Sequence, residues 1–135
     1  MIVLDSSAVV EWILGLPSAD AVADRIVSAD SLHAPAVLDI EVAHVLRRYN
    51  AAGELADAAA ERALMALADL DVARYTHERL LPLIWRLRHN LTAYDAAFVA
   101  LAKLLDAPLV TLDARIARAP WPRLGGRELS IDLIA

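Results

Sequence analysis

Apolar positions along the chain recur with two periods, and the switches between them predict its elements. Ile2-Val3-Leu4 reads as a first strand ending on Asp5. Over 8–14, Val9, Trp12 and Ile13 share a helical face; Ser6-Ser7 are candidate caps, and Gly15 and Pro17 form the stop. A second helix, capped by Ser18 and running to about 28, turns Ala21, Val22 and Ile26 inward. Leu32-His33-Ala34 fits a short strand bounded by Pro35. Residues 36–50 carry Val37, Ile40, Val42, Val45, Leu46 and Tyr49, the pattern of a long amphipathic helix, with Ala51-Ala52-Gly53 as its stop. An alanine-rich helix over 55–70 returns as a hairpin, and 71–76 reads as a strand. Residues 78–89 are helical in pattern, but Pro82 fits there only within a first turn.

Residues 91–115 carry the sharpest signals. Thr92 and Asp95 have capping-box spacing, with Thr92 as N-cap. Phe98, Leu101, Ala102 and Leu105 then recur at helical spacing until Asp106-Ala107-Pro108 ends the helix. Leu109-Val110-Thr111-Leu112 is the apolar run of a strand covered on both faces, and it ends on Asp113. A short helix over 114–118, a rigid Pro120-Trp121-Pro122 loop, a Gly125-Gly126 turn and a last strand over 128–134 follow. Strands alternating with helices predict an α/β/α sandwich around a mostly parallel sheet of four or five strands, in one domain spanning 1–135. No internal repeat is present.

Composition narrows the class. Hydrophobic residues make up 59% of the chain, and the large alanine share calls for closely packed helices. The absence of cysteine excludes disulfides and thiolate metal sites and fits a reducing cytoplasm. MIVLDSS has no basic n-region and is not a signal peptide. No apolar run approaches the roughly 20 residues that a membrane span requires.

Net charge of −5 weighs against general, charge-driven binding of nucleic acid. The distribution changes that picture. Of the 13 basic residues all but Lys103 are arginine, the side chain suited to bidentate phosphate contacts. Arg115, Arg118, Arg123 and Arg127 occupy an acid-free window, 114–127, with further clusters at Arg47-Arg48 and at Arg86 and Arg88. A merely solvated face is the competing explanation. Trp12, Trp85 and Trp121 are read as packing anchors rather than base-stacking platforms.

Asp5 ends the first strand, Glu41 lies about one turn into the helix after the second, Asp95 opens the central helix and Asp113 ends the strand after it. Ligands of open α/β sheets sit beyond the carboxyl ends of strands, so a sheet with its first strand in the middle gathers all four acids at one rim. Singly, each has an ordinary role in a cap or at a strand end. Together they repel one another and call for a cation. Hard oxygen ligands select Mg²⁺ or Mn²⁺, which can activate water for in-line displacement at phosphorus. Other constellations fail. Glu41-x-x-His44 has di-iron spacing but occurs once, Ser6 and Ser7 lack His–Asp partners, and there is no glycine-rich phosphate loop. A haloacid-dehalogenase-like aspartyl nucleophile at Asp5 wants an acid where Ser7 stands, and a receiver domain wants a lysine at a late strand end, whereas Lys103 is mid-helix. A non-catalytic module whose acid rim docks a basic peptide is the remaining alternative.

Ile2-Val3-Leu4-Asp5-Ser6-Ser7, the segment from Pro35 to Arg47 around Glu41, Leu91-Thr92-Ala93-Tyr94-Asp95-Ala96 and Val110-Thr111-Leu112-Asp113-Ala114-Arg115 together resemble the PIN-domain ribonucleases, and among them the VapC-type toxins. The resemblance implies a PIN-like fold and an acidic metal site of Asp5, Glu41, Asp95 and Asp113, supported by the hydroxyls of Ser6 and Thr111. On that basis Asp5, Asp95 and Asp113 hold Mg²⁺ or Mn²⁺, while Glu41 ligates it or orients the attacking water. It also implies cleavage of RNA, dimerisation, and silencing by a VapB-type antitoxin in a heterotetramer or larger assembly. Arg115 and Arg118 are the candidates for holding RNA phosphates beside the cut.

Overall fold

The computed structural model describes residues 1–120, 122 and 124–135. The readings made above for Trp121 and Arg123 lie outside the described residues. In chain order the elements are β1 (Ile2–Leu4), α1 (Ser6–Ile13), α2 (Ala19–Ser28), β2 (Leu32–Pro35), α3 (Val37–Ala51), α4 (Asp57–Asp69), β3 (Val72–Tyr75), α5 (Leu81–Arg86), α6 (Ala93–Leu105), β4 (Leu109–Thr111), α7 (Ala114–Arg118) and β5 (Ile131–Leu133). The five strands form one sheet in the order β3-β2-β1-β4-β5. Every pairing is parallel, with Val3 opposite both His33 and Leu109.

The order reverses at β1. Chain from β1 runs to β2 and β3 on one side, and β4 and β5 lie on the other, so a topological switch point opens between the carboxyl ends of β1 and β4. Val3, Leu4, Leu109 and Val110 in these two strands are buried, as expected of a sheet with both faces covered. Helix α6 is the most buried helix segment, with every residue from Ala96 to Ala102 inside. Four alanines in that run let it lie close against the sheet.

Local signals act as expected at both ends of α6. The Thr92 hydroxyl accepts the Asp95 N–H at 3.2 Å, the N-cap half of a capping box. At the other end Asp106 takes a left-handed φ of 51°, and the Ala107 N–H returns to the Ala102 carbonyl at 3.0 Å. Aspartate tolerates that conformation better than most residues.

Five expectations need correction. Helix α1 begins at Ser6 with Asp5 at its N-cap position, so Ser6 and Ser7 lie inside its first turn rather than capping it. Ser18 occupies the N-cap position of α2 without a side-chain capping bond. In α3 the buried stripe is Leu38, Val42 and Leu46, and Ile40, about 200° around the helix from Leu38, is 70% exposed. Helix α5 covers only Leu81–Arg86, with Pro82 in its first turn, because a proline further in would clash with the preceding turn. The last strand is likewise shorter than its apolar pattern, Ile131–Leu133.

Candidate active site

The loop positions after β1 and β4, the first turn of α6 and the second turn of α3 converge on the switch point. Asp5 stands directly after β1 and is 3% exposed. Its backbone N–H is held by the Val110 carbonyl at 3.0 Å, the last rung before β1 and β4 diverge. Its carboxylate Oδ2 accepts two hydroxyl donors at 2.7 Å each, Thr111 Oγ1 from β4 and Ser7 Oγ from α1. Those hydroxyls lie 3.3 Å apart. Thr111 Oγ1 also accepts the Asp113 N–H at 2.9 Å, and Ser7 Oγ accepts the Leu112 N–H at 3.0 Å. The chain leaving β4 is thus tied to the chain leaving β1 through three side chains.

Glu41 is held from the other side: Ser6 Oγ donates to its Oε2 at 2.7 Å. Adjacent serines in α1 point along different directions, about 100° apart, so Ser6 serves Glu41 and Ser7 serves Asp5. The supporting hydroxyls expected from the sequence, Ser6 and Thr111, are both present in this network. Ser7 was missed in that role. Its position two residues after an acid at a strand end was the available signal.

Charge binds the four acids together. Burial raises the pKa of Asp5 above the usual carboxylate range; the Thr111 and Ser7 hydroxyls oppose this, and the negative charge of Asp95 adds to it. Burial raises Glu41 too, Ser6 opposes, and the charges of Asp5 and Asp95 push it further. Asp95 is raised by burial and then by Asp113. Asp113 alone goes down, because Arg115 donates to it. The charge of Asp95 thus acts on Asp5 and Glu41, and that of Asp113 on Asp95.

The side chains do not converge tightly. Among the described residues, no three His, Cys, Asp or Glu side chains are gathered as a metal-ligand set. Asp113 is turned to Arg115, whose backbone N–H and Nε reach Oδ1 at 2.9 and 3.1 Å and whose Nη2 reaches Oδ2 at 2.8 Å. The donor chemistry nevertheless fits a hard divalent cation. It consists of oxygen only, and burial raises the pKa of Asp5, Glu41 and Asp95 above their ordinary values, which an adjacent cation would offset. Of the arginines singled out, Arg115 and Arg118 are exposed on α7, and Arg127 reaches Asp106 at 3.4 Å. A cavity of about 620 Å³, lined by Lys103, Ala117, Pro122, Leu124, Leu129 and Ile131 among others, includes none of Asp5, Glu41, Asp95 and Asp113.

Comparison with known proteins gives the family. Residues 2–122 match the PIN domain. The chain is 44% identical over 119 residues to "Ribonuclease VapC1" of Mycobacterium tuberculosis, covering 87% of this chain and 90% of the relative. It is 35% identical to "Ribonuclease VapC12" of the same organism over 135 residues, the full length of both. Among solved structures, PAE2754 of Pyrobaculum aerophilum superposes with a TM-score of 0.71 at 20% identity, covering 98% of this chain and 83% of that one. VapC20 of Mycobacterium tuberculosis gives 0.67 at 16% identity, covering 90% and 97%. The sheet order, the acids around its switch point and these likenesses agree: the chain belongs to the PIN-domain family, among its VapC-type members.

Proposed function

We propose that this protein is a divalent-metal-dependent endoribonuclease, the toxin of a toxin–antitoxin pair. The observation that carries the reading is the meeting of four acids at the switch point of the sheet: Asp5 held by the Thr111 and Ser7 hydroxyls, Glu41 held by Ser6, Asp95 in the first turn of α6 and Asp113 at the N-cap of α7. Relatives named ribonucleases over most of the chain support the substrate class.

Asp5, Asp95 and Asp113 would hold Mg²⁺ or Mn²⁺, and Glu41 would ligate it or orient the attacking water. Held there, such an ion would supply Lewis-acid chemistry, lowering the pKa of a water and offsetting charge at the scissile phosphate. The chain's own groups do the rest. Thr111 and Ser7 fix Asp5 in one orientation, and Ser6 aims Glu41 into the same crevice. Glu41, whose pKa burial raises above its ordinary value, is a stronger base than a free glutamate once ionised and is suited to take a proton from water. Arg115, released from Asp113, is placed to meet a phosphate oxygen next to the cut.

The phosphoryl-transfer alternative wants a second acid where Ser7 stands, and Ser7 instead donates to Asp5 at 2.7 Å. Solved relatives include VapBC2 of Rickettsia felis, crystallised with a DNA fragment from its promoter. For this chain we infer a VapB-type antitoxin that reaches the acid rim with an arginine, a homodimeric toxin and a cytoplasmic site of action.

The test is cleavage of RNA by the purified protein with Mn²⁺ and with chelator, against Asp95→Asn. Asparagine keeps the shape and leaves the Thr92 cap in place. Cleavage should fall by orders of magnitude in the variant while its melting curve keeps a single cooperative transition. Equal cleavage by both proteins, or none by either, would overturn the reading.

A further inference from the structure

Trp85 does not anchor the core. It is 67% exposed on α5, and Leu81 beside it is 56% exposed. The inward face of this segment is supplied instead by Leu80, Leu87 and Leu91, all buried, which turns Trp85 and Arg88 outward. The Arg88 guanidinium lies over the Trp85 ring, 4.6 Å from its centroid, and its Nη1 donates to the Trp85 carbonyl at 2.8 Å. That contact holds the indole broadside on the surface with a cation stacked upon it. The segment runs into α6 through Tyr94, also exposed at 62% and one residue before Asp95.

Charge says what such a face would meet. From Arg79 to Tyr94 the chain contains Arg79, Arg86, Arg88 and His89 and no acid at all, in a protein whose net charge is −5. Exposed aromatic rings interleaved with arginines are the surface that single-stranded nucleic acid takes, because every base has a π-face and every nucleotide a phosphate. A second copy of the chain fits less well. A twofold interface sets a patch against itself and would bring these arginines face to face.

Resting on the nuclease reading above, we propose that Arg79–Tyr94 is the lane that carries single-stranded RNA to the acid rim. Trp85, with Arg88 behind it, stacks one base; Arg79, Arg88 and His89 line the backbone; and Tyr94 receives the nucleotide nearest Asp95. The lane favours unpaired RNA, since a base inside a duplex offers no free face to Trp85.

The test uses an Asp95→Asn background and a fluorescein-labelled single-stranded RNA 12-mer with Mn²⁺, read by anisotropy over a salt series. Trp85→Ala should weaken binding by about 5- to 150-fold, Trp85→Phe should keep most of it, and Arg88→Ala should flatten the salt slope by roughly 0.7. A duplex of the same sequence should bind more weakly than the single strand. Trp85 and Arg88 are exposed, so both variants should melt like the parent. Unchanged affinity and slope in Trp85→Ala and Arg88→Ala would overturn the lane. So would a dimer that Trp85→Ala converts to monomer in sedimentation, which would make the face an interface between copies. Cleavage by the protein with native Asp95 separates the two proposals. If it cuts RNA while Trp85→Ala binds normally, only the lane fails; if it neither cuts nor binds, the nuclease reading fails as well.

Discussion

Arg115 clasps Asp113 with three hydrogen bonds of 2.8 to 3.1 Å, and the two sit only two residues apart at the start of α7. Asp113 is largely covered, at 18% side-chain exposure, whereas Arg115 is 82% exposed. The arginine is therefore the mobile partner, and it occupies the carboxylate that a cation would use. Arg115→Ala should have opposite effects on two ligands. Mn²⁺ should bind more tightly, by about 1.4- to 5-fold, since an exposed ion pair is worth about 0.2–1 kcal/mol. RNA should bind more weakly, with a salt slope flatter by roughly 0.7. Calorimetry with Mn²⁺ and anisotropy with RNA measure the two. Weaker Mn²⁺ binding would show that Arg115 supports the ion rather than competing with it.

Stability without metal should decline with rising pH. Asp5 and Asp95 are raised from 3.8, and Glu41 from 4.5, mainly by burial. The folded protein then binds more protons than the unfolded chain, so unfolding free energy falls as pH rises from about 4 toward 7. Asp113 works the other way. Its pKa is lowered by Arg115, so its contribution is present above its ordinary 3.8 and is lost as pH falls through the folded value. Asp5→Asn removes one buried charge and should make the metal-free protein more stable than the parent at pH 7, with the gap closing toward pH 4. Thermal midpoints in chelator across that range decide it.

Saturating Mn²⁺ should reverse that order at pH 7. A ligand that binds only the native state adds about 2.7 kcal/mol at a hundred times its dissociation constant. The parent should gain this and Asp5→Asn much less. Equal gains in both midpoints would remove Asp5 from the metal site.

Thr111 is wholly buried, donates to Asp5 and accepts the Asp113 N–H. Thr111→Val keeps the shape and leaves both partners short of a bond. Urea unfolding should show a loss of about 1–3 kcal/mol, the usual cost of stranding a buried polar group. Thr111→Ser should recover most of it, and a valine variant as stable as the parent would mean that Ser7 alone satisfies Asp5.

In cells, expression of the chain alone should slow growth, and Asp5→Asn should not. Growth curves after induction measure this. Slowed growth that persists in Asp5→Asn would place toxicity outside the acid rim.

Much of the fold was legible because it rests on local chemistry. The Thr92 cap, the stop at Asp106-Ala107-Pro108 and the apolar run at Leu109 act on neighbours within a turn, so the residues alone announce α6 and β4. Asp5 and Asp113 were legible for the same reason, each closing a strand at its carboxyl end. Ile40 and Trp85 were misread as inward because periodicity names an apolar face without saying which neighbour covers it. On α3 the stripe through Leu38 and Val42 won the core, and at the two ends of α5 Leu80 and Leu87 did.

Tertiary structure decided where the acids sit. Only the order β3-β2-β1-β4-β5 brings Asp5 beside Thr111, 106 residues away, because parallel pairing of β1 with β4 sets their carboxyl ends side by side. The division of labour between Ser6 and Ser7 follows from a helix that begins one residue after the strand. The sequence by itself determined which carboxylates close the strands and open the helices, the Thr92 cap and the alternation of strand and helix. Which oxygen meets which hydroxyl, and that Arg115 closes on Asp113, was decided by packing, since a side chain's direction depends on neighbours that the chain supplies from far away.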